Sequence, residues 1–296
     1  MSATARPRRT PRPSTTLVLG GGVTLLFVLV AILAPWLAPH DPFRVVGPAL
    51  APPSAEYPMG TDGIGRDVLS GILLGTRTSL AIAAAVGLLT GAIGVLIGAL
   101  GGYLGGRIDD ALLRVTELVQ VLPRFFLAIL VLALFGPGTD RLVVVLALTA
   151  WPLLARVVRS QVLVVVALPF IEAARATGAR APRILLRHVL PNAVPTAMTT
   201  LGVVLAQVIL LEASLGFLGL GDPSTMSLGA LAGEAQRFLR RAWWLSVFPG
   251  GAIVLIVLGV NLLIDAGVGV RTPRRRWLAE RGWLPGRRWL PTKAAG

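Results

Sequence analysis

The sequence contains no cysteine, which excludes disulfide scaffolds, thiolate zinc sites and cysteine nucleophiles together. Histidine is nearly as scarce: His40 and His188 lie far apart and offer no multi-histidine metal motif. The only lysine is Lys293. A Gly-x-x-x-x-Gly-Lys-Ser/Thr loop is therefore absent, because its lysine must reach the nucleotide phosphates. Any ATP chemistry that drives this protein belongs to another chain. Neither His-Glu-x-x-His nor Gly-x-Ser-x-Gly occurs, so a membrane enzyme of those classes lacks its motif. Charge is scarce too, at 14% of residues where soluble domains carry about 25%.

Long uncharged runs take their place. Of 296 residues, 54% are hydrophobic, and the mean hydropathy is +0.76. A helix needs about 20 apolar residues to cross the hydrocarbon core of a membrane. The first run, Leu17 to Leu37, lies in a stretch without charge between Arg12 and Asp41. It exceeds the roughly 7–15 apolar residues of a secretory signal and reads as a span. The second, near Leu80 to Leu100, carries Gly87, Gly91, Gly94, Gly98 and Gly102. Those spacings either admit another helix closely or reflect a glycine-rich membrane composition. A third span runs near Leu118 to Phe135, with Pro123 and Arg124 in its first turns, where Arg124 is expected to snorkel toward the headgroups. After the Gly136-Pro137-Gly138 turn come a fourth span from Leu142 to about Val158, a fifth between Pro191 and Glu212, and a sixth from Leu245 to about Ile264.

Six spans put both tails on one side. The tails and the second and fourth loops carry 20 Arg and Lys residues, against seven on the other side. By the positive-inside rule the rich side is cytoplasmic. The net charge of +14 thus follows topology rather than nucleic-acid binding, because basic residues act through where they cluster. The expected organisation is an all-α integral membrane protein: a cytoplasmic tail at 1–15, a first transmembrane helix at 16–38, an external segment at 39–79, a five-helix core at 80–268 and a basic cytoplasmic tail at 269–296. On the outer side, Leu228, Leu231, Ala232, Ala235, Phe238 and Leu239 fall at helical spacing opposite Arg237, Arg240 and Arg241. They read either as an amphipathic helix in the interface leading to Trp243-Trp244, or as a solvated helix capping the protein. Glu212 and Asp265 fall near opposite span ends, at headgroup level.

The longest cytoplasmic connection, 159–191, is the informative one. Pro169 suits the first position of a short helix and Gly178 its end. Phe170, Ala173, Ala174 and Thr177 recur at i, i+3, i+4 and i+7, one smooth face with small residues at its centre. Pro182 opens a second short helix, Ile184 and Leu185 give it apolar contacts, and Pro191 is expected to stop it. Arg175, Arg180, Arg183 and Arg187 rim the pair. Such a knob suits docking to a partner, or resting on anionic lipid. In the fifth span, Thr196, Thr200, Gln207 and Ser214 share a stripe, which fits a translocation path or hydrogen bonding between helices.

The string Glu172-Ala173-Ala174-x-x-x-Gly178, nine residues, then His188-x-Leu190-Pro191, resembles the Glu-Ala-Ala loop in permease subunits of bacterial ABC importers. The fuller text through Asn192 resembles the C-type permease of the peptide/nickel branch. Met59-Gly-Thr-Asp62-Gly-Ile-Gly-Arg66-Asp67-Val-Leu-Ser70 resembles the segment before that branch's second span, and Glu212-Ala-Ser-Leu-Gly-Phe-Leu-Gly-Leu-Gly221 the segment leaving its fifth. Gly60 to Asp67 follows no strand and lies outside, so it is a poor phosphate loop. The sequence departs from the family at Val164-Val-Val-Ala167, at Leu228-Gly229 and in the stretch from Asp265 to Arg271.

The resemblance implies a type I importer permease fold in the bacterial inner membrane. It also implies a second, B-type permease, two ATPase subunits that hold ATP and magnesium, and an external substrate-binding protein. This chain itself is expected to bind no cofactor and no nucleic acid, and to contact membrane lipid. Glu172, Ala173, Ala174 and Gly178 would form the docking framework, with Arg183, His188, Leu190 and Pro191 beside it; His188 is equally well a structural residue. The substrate would be a di- or oligopeptide, or nickel or another small solute. An ion-coupled secondary transporter would need ionisable groups near mid-membrane and usually an inverted repeat; the spans show no central carboxylate and no obvious repeat.

Overall fold

The computed structural model describes residues 15–270. Both basic tails, and the side chain of Asp265, lie outside the described residues. Among the described residues ten α-helices follow one another: α1 Thr15–Leu37, α2 Val68–Leu104, α3 Gly106–Val121, α4 Arg124–Phe135, α5 Thr139–Val166, α6 Pro169–Ala176, α7 Ala181–Ile184, α8 Leu190–Phe217, α9 Leu228–Glu234 and α10 Trp244–Val270. Five stretches are long and apolar enough to span a membrane, and counting α3 with α4 as one bent span gives six. The fold is all-helical among the described residues. The start of α1 lies against the end of α10, where a Cβ on Gly20 would sit 2.6 Å from the Leu262 Cβ. Both described ends therefore share one side of the bundle.

The glycine stripe is a close-packing face. A Cβ added at Gly98 would come within 2.4 Å of the Ala155 carbonyl oxygen, and Gly94 and Gly102 meet Leu154 and Val162 of the same neighbour. Only the missing side chains let α2 and α5 approach so closely. Two apolar clusters result. One joins α2, α4, α5, α8, α9 and α10 around Val86, Leu132, Leu146, Val204 and Leu215. The second, toward the cytoplasmic side, joins α5, α6, α7 and α8 through Val158, Val162, Ile171, Ile184 and Ala193.

Four features differ from the sequence expectation. The second helix starts at Val68, twelve residues before Leu80, because Asp67 caps it by accepting from the Ser70 N–H. Arg77 is simply an exposed residue on its surface. The third span is two helices bent by 73° at Leu122–Pro123. Pro123 caps α4 from an extended backbone conformation, and the residue before a proline avoids helical geometry. Pro191 does not stop a helix: residues Leu185–Val189 widen into a π turn and the chain runs on into α8. The Leu190 N–H bonds the Leu185 carbonyl, and the wider turn accommodates a proline that would clash in regular geometry.

The fourth difference is Glu212. It is 3% exposed and accepts a 2.8 Å hydrogen bond from Ser79 of α2, rather than meeting headgroups. Beside it α9 caps the protein: Leu228, Leu231 and Ala235 are buried, and Gly229 rests against the backbone of Ala213.

Candidate functional site

The cytoplasmic knob is built from local signals. Leu168 is extended, Pro169 opens α6, and Gly178 closes it at φ +79. There the Gly178 N–H bonds the Arg175 carbonyl and the Ala179 N–H the Ala174 carbonyl. This double closure needs a left-handed residue, which glycine supplies without steric cost. Ile171 and Ile184 are 0% and 1% exposed. They pin the knob to α5 and α8 within the inner cluster. Ile171, absent from the sequence-level candidates, is the main anchor; its signal was a large apolar residue opposite the smooth face.

The opposite face is open. Phe170, Glu172, Ala173, Arg175, Thr177, Gly178, Arg180, Arg183 and Arg187 are exposed, while Ala174 is half-buried. Among the described residues Glu172 has no ion-pair partner, and Arg183 has none. His188 is half-buried and its carbonyl accepts from the Asn192 side chain at 2.6 Å. Leu190 is half-buried and Pro191 exposed. The structure thus brings Glu172, Ala173 and Gly178 together on one small, polar-rimmed surface, with Leu190 and Pro191 at its junction with α8.

The stripe on α8 also has an address. Thr196, Gln207 and Ser214 are exposed and Thr200 is half-buried, with Val203 and Leu210 between them. This is the face of α8 that its own chain leaves uncovered. Ser214 donates back to the Leu210 carbonyl, whereas Gln207 Oε1 accepts from Arg124 at 3.4 Å. Arg124 lies at the break between α3 and α4 rather than in the first turns of one continuous span. It starts the twelve-residue α4, so it lies about 17 Å below that helix's outer end.

The outer face is tied by polar contacts. Asp62, 2% exposed, accepts from the N–H groups of Ile64 and Arg66 and from the Arg66 side chain. Arg66 also bridges to Glu234 of α9, and the Trp244 indole donates to the Thr61 carbonyl. Burial pulls the Arg66 pKa down, but the Asp62 hydrogen bond and the nearby Asp62 and Glu234 charges raise it overall. Asp222 accepts from Ser224 and Thr139. Those hydrogen bonds, led by that of the Ser224 hydroxyl, hold its pKa down at about 2. A cavity of about 600 Å³, lined in part by Arg66, Asp222, Glu234 and Arg237, opens between these elements.

The family model described as binding-protein-dependent transport system inner membrane component matches residues 94–277. This chain belongs to that family. A second model, the N-terminal transmembrane domain of oligopeptide transport permease C, matches residues 14–55. The chain is 37% identical over 256 residues to the dipeptide transport system permease protein of Escherichia coli K12, covering 84% of this chain and 85% of that one. It is 35% identical over 251 residues to the di/tripeptide transport system permease protein of Pseudomonas aeruginosa, covering 81% and 82%. In fold it is similar to a chain of the MetNI methionine ABC transporter in an inward-facing conformation, with TM-score 0.55, 21% identity, and 68% and 94% of the two chains covered. The chain is thus a multi-pass ABC importer permease of the inner membrane, a transport subunit rather than an enzyme.

Proposed function

We propose that this chain is the C-type permease of an ATP-driven importer of di- or oligopeptides. It would act beside a B-type permease, above two ATPase subunits, and receive substrate from an external binding protein. The relatives above are named for peptides, and no group of metal-ligating side chains occurs among the described residues, so nickel is the weaker substrate reading. ATP and magnesium belong to the ATPases, because the single lysine of this chain, Lys293, follows no glycine-rich phosphate loop.

The observation that carries the reading is the two-sided knob. Ile171 and Ile184 fix one side to α5 and α8, while Glu172, Ala173 and Gly178 present the other to solvent. A body seated in an ATPase groove by that open face would pass its displacement to both attached spans. The small residues permit close approach, Glu172 offers a carboxylate to a partner's cation, and Gly178 sets the bend. Arg183, His188, Leu190 and Pro191 lie beside this contact, and Thr196, Thr200, Gln207 and Ser214 line the path that opens and closes.

The test is complementation of cells that hold the partner subunits but lack this chain. Gly178→Leu and Glu172→Lys are expected to reach the membrane at normal abundance while labelled dipeptide uptake falls to background. Normal uptake by both variants removes the knob from the mechanism.

A further inference from the structure

Arg124 stands near mid-membrane with no carboxylate within ion-pair distance among the described residues. Two rulers give the same depth. Arg124 is eleven residues from the outer end of α4 and Gln207 ten from that of α8, about 17 and 15 Å along the two helices. Those ends are tied at one level, because Thr139, just after the turn that follows α4, donates to Asp222, just after α8. A hydrocarbon core of about 30 Å puts both side chains close to its midplane. A charge at that depth faces a bundle interior or a water-filled route rather than lipid.

The chemistry of the pair is one-sided. Guanidinium only donates, so the Arg124–Gln207 contact occupies the Gln207 carbonyl oxygen and turns its NH₂ group outward. The remaining guanidinium N–H groups and that NH₂ group form an array of donors with no acceptor among the described residues. It sits on the uncovered face of α8, with the exposed Val203 one turn away. Planar donors in a fixed fork match a carboxylate.

We propose that Arg124 and Gln207 form a carboxylate-binding site in the translocation path, taking the C-terminal carboxylate of the transported peptide. The ligand class rests on the peptide-importer reading; the anion site rests on the geometry alone. Carboxylate and site meet only while the route is open, so the contact holds substrate in transit without closing the path.

The absence of cysteine makes the test direct. Gln207→Cys, or Val203→Cys one turn away, puts a single thiol of this subunit at the site in the assembled transporter, in inside-out vesicles. Its reaction with methanethiosulfonates bearing a sulfonate or a trimethylammonium group is then measured relative to free thiol. The sulfonate reagent is expected to be favoured about 10-fold or more, as a charge-lined cleft concentrates counter-ions. The preference should vanish with Arg124→Gln and survive Arg124→Lys. Dialanine should slow the reaction and dialanine amide should not. A preference that survives Arg124→Gln, thiols that both remain unreactive because the second permease seals the face, or equal protection by acid and amide would overturn the site. Failure of the wild-type transporter to take up any peptide, with the Arg124-dependent preference intact, would instead sink only the peptide reading.

Discussion

The outer Asp62–Arg66–Glu234 network and the cytoplasmic knob handle their polar groups in opposite ways. On the outer face Asp62, Arg66, Asp67, Asp222 and Glu234 accept or donate within the chain. On the cytoplasmic knob Glu172 and Arg183 have no ion-pair partner among the described residues, and the anchoring is apolar. Charges paired within the chain, as Asp62, Arg66 and Glu234 are, tie the outer segments to one another. A face whose charges are unsatisfied, on a rigid apolar mount, is prepared for another protein.

Breaking the outer network should have the largest effect on stability. Asp62→Ala would leave the Arg66 side chain and the Ile64 and Arg66 N–H groups without their shared acceptor. A cost of about 3 kcal/mol is expected, as for the loss of one partner from a buried pair, and would show as a lower melting temperature in detergent. The matching change at the knob, Glu172→Ala, should stay within about 0.5 kcal/mol and yet reduce uptake. If the two variants melt alike, the contrast between the faces is wrong.

Ile184→Ala sharpens the comparison at the mount. Deleting that buried side chain should cost about 2 kcal/mol and loosen the knob, measured as faster amide exchange across residues 169–189 with the outer face unchanged. Equal acceleration at both ends would show that the knob is not a separately anchored unit. Asp222 gives the pH-dependent test of the outer network. Its folded pKa of about 2 lies below the unfolded value of 3.8. Its contribution is therefore fully present above pH 4 and lost as pH falls through about 2. Asp222→Asn should flatten the melting temperature between pH 4 and 2, and an unchanged acid slope would remove Asp222 from the outer network.

How far the sequence could be read depended on the range of the interactions involved. Pro169 and Gly178 act on their own backbone, so the ends of α6 were legible in advance. The glycine stripe on α2 was legible as a close-approach face, though not its neighbour. Leu80 was a poor start for the second helix because the cap, Asp67, lies beyond a surface arginine that looked like a boundary. Glu212 was misplaced because its partner Ser79 is 133 residues away. Pro123 was visible as a proline, but a 73° break and the resulting depth of Arg124 depend on packing that no local pattern carries. The peptide assignment came from motif resemblance and from relatives, since no side-chain pattern in the spans spells a substrate.

The π turn before Pro191 has a mechanical consequence. Because it absorbs the proline, Ala181 to Phe217 forms 37 helical residues, a rod about 55 Å long. Pivoted at the cytoplasmic end, such a rod needs only about 5° of tilt to carry its far tip about 5 Å. A push at the inner surface would then arrive at the outer mouth as a swing of the whole helix, shaped by Pro195 within it.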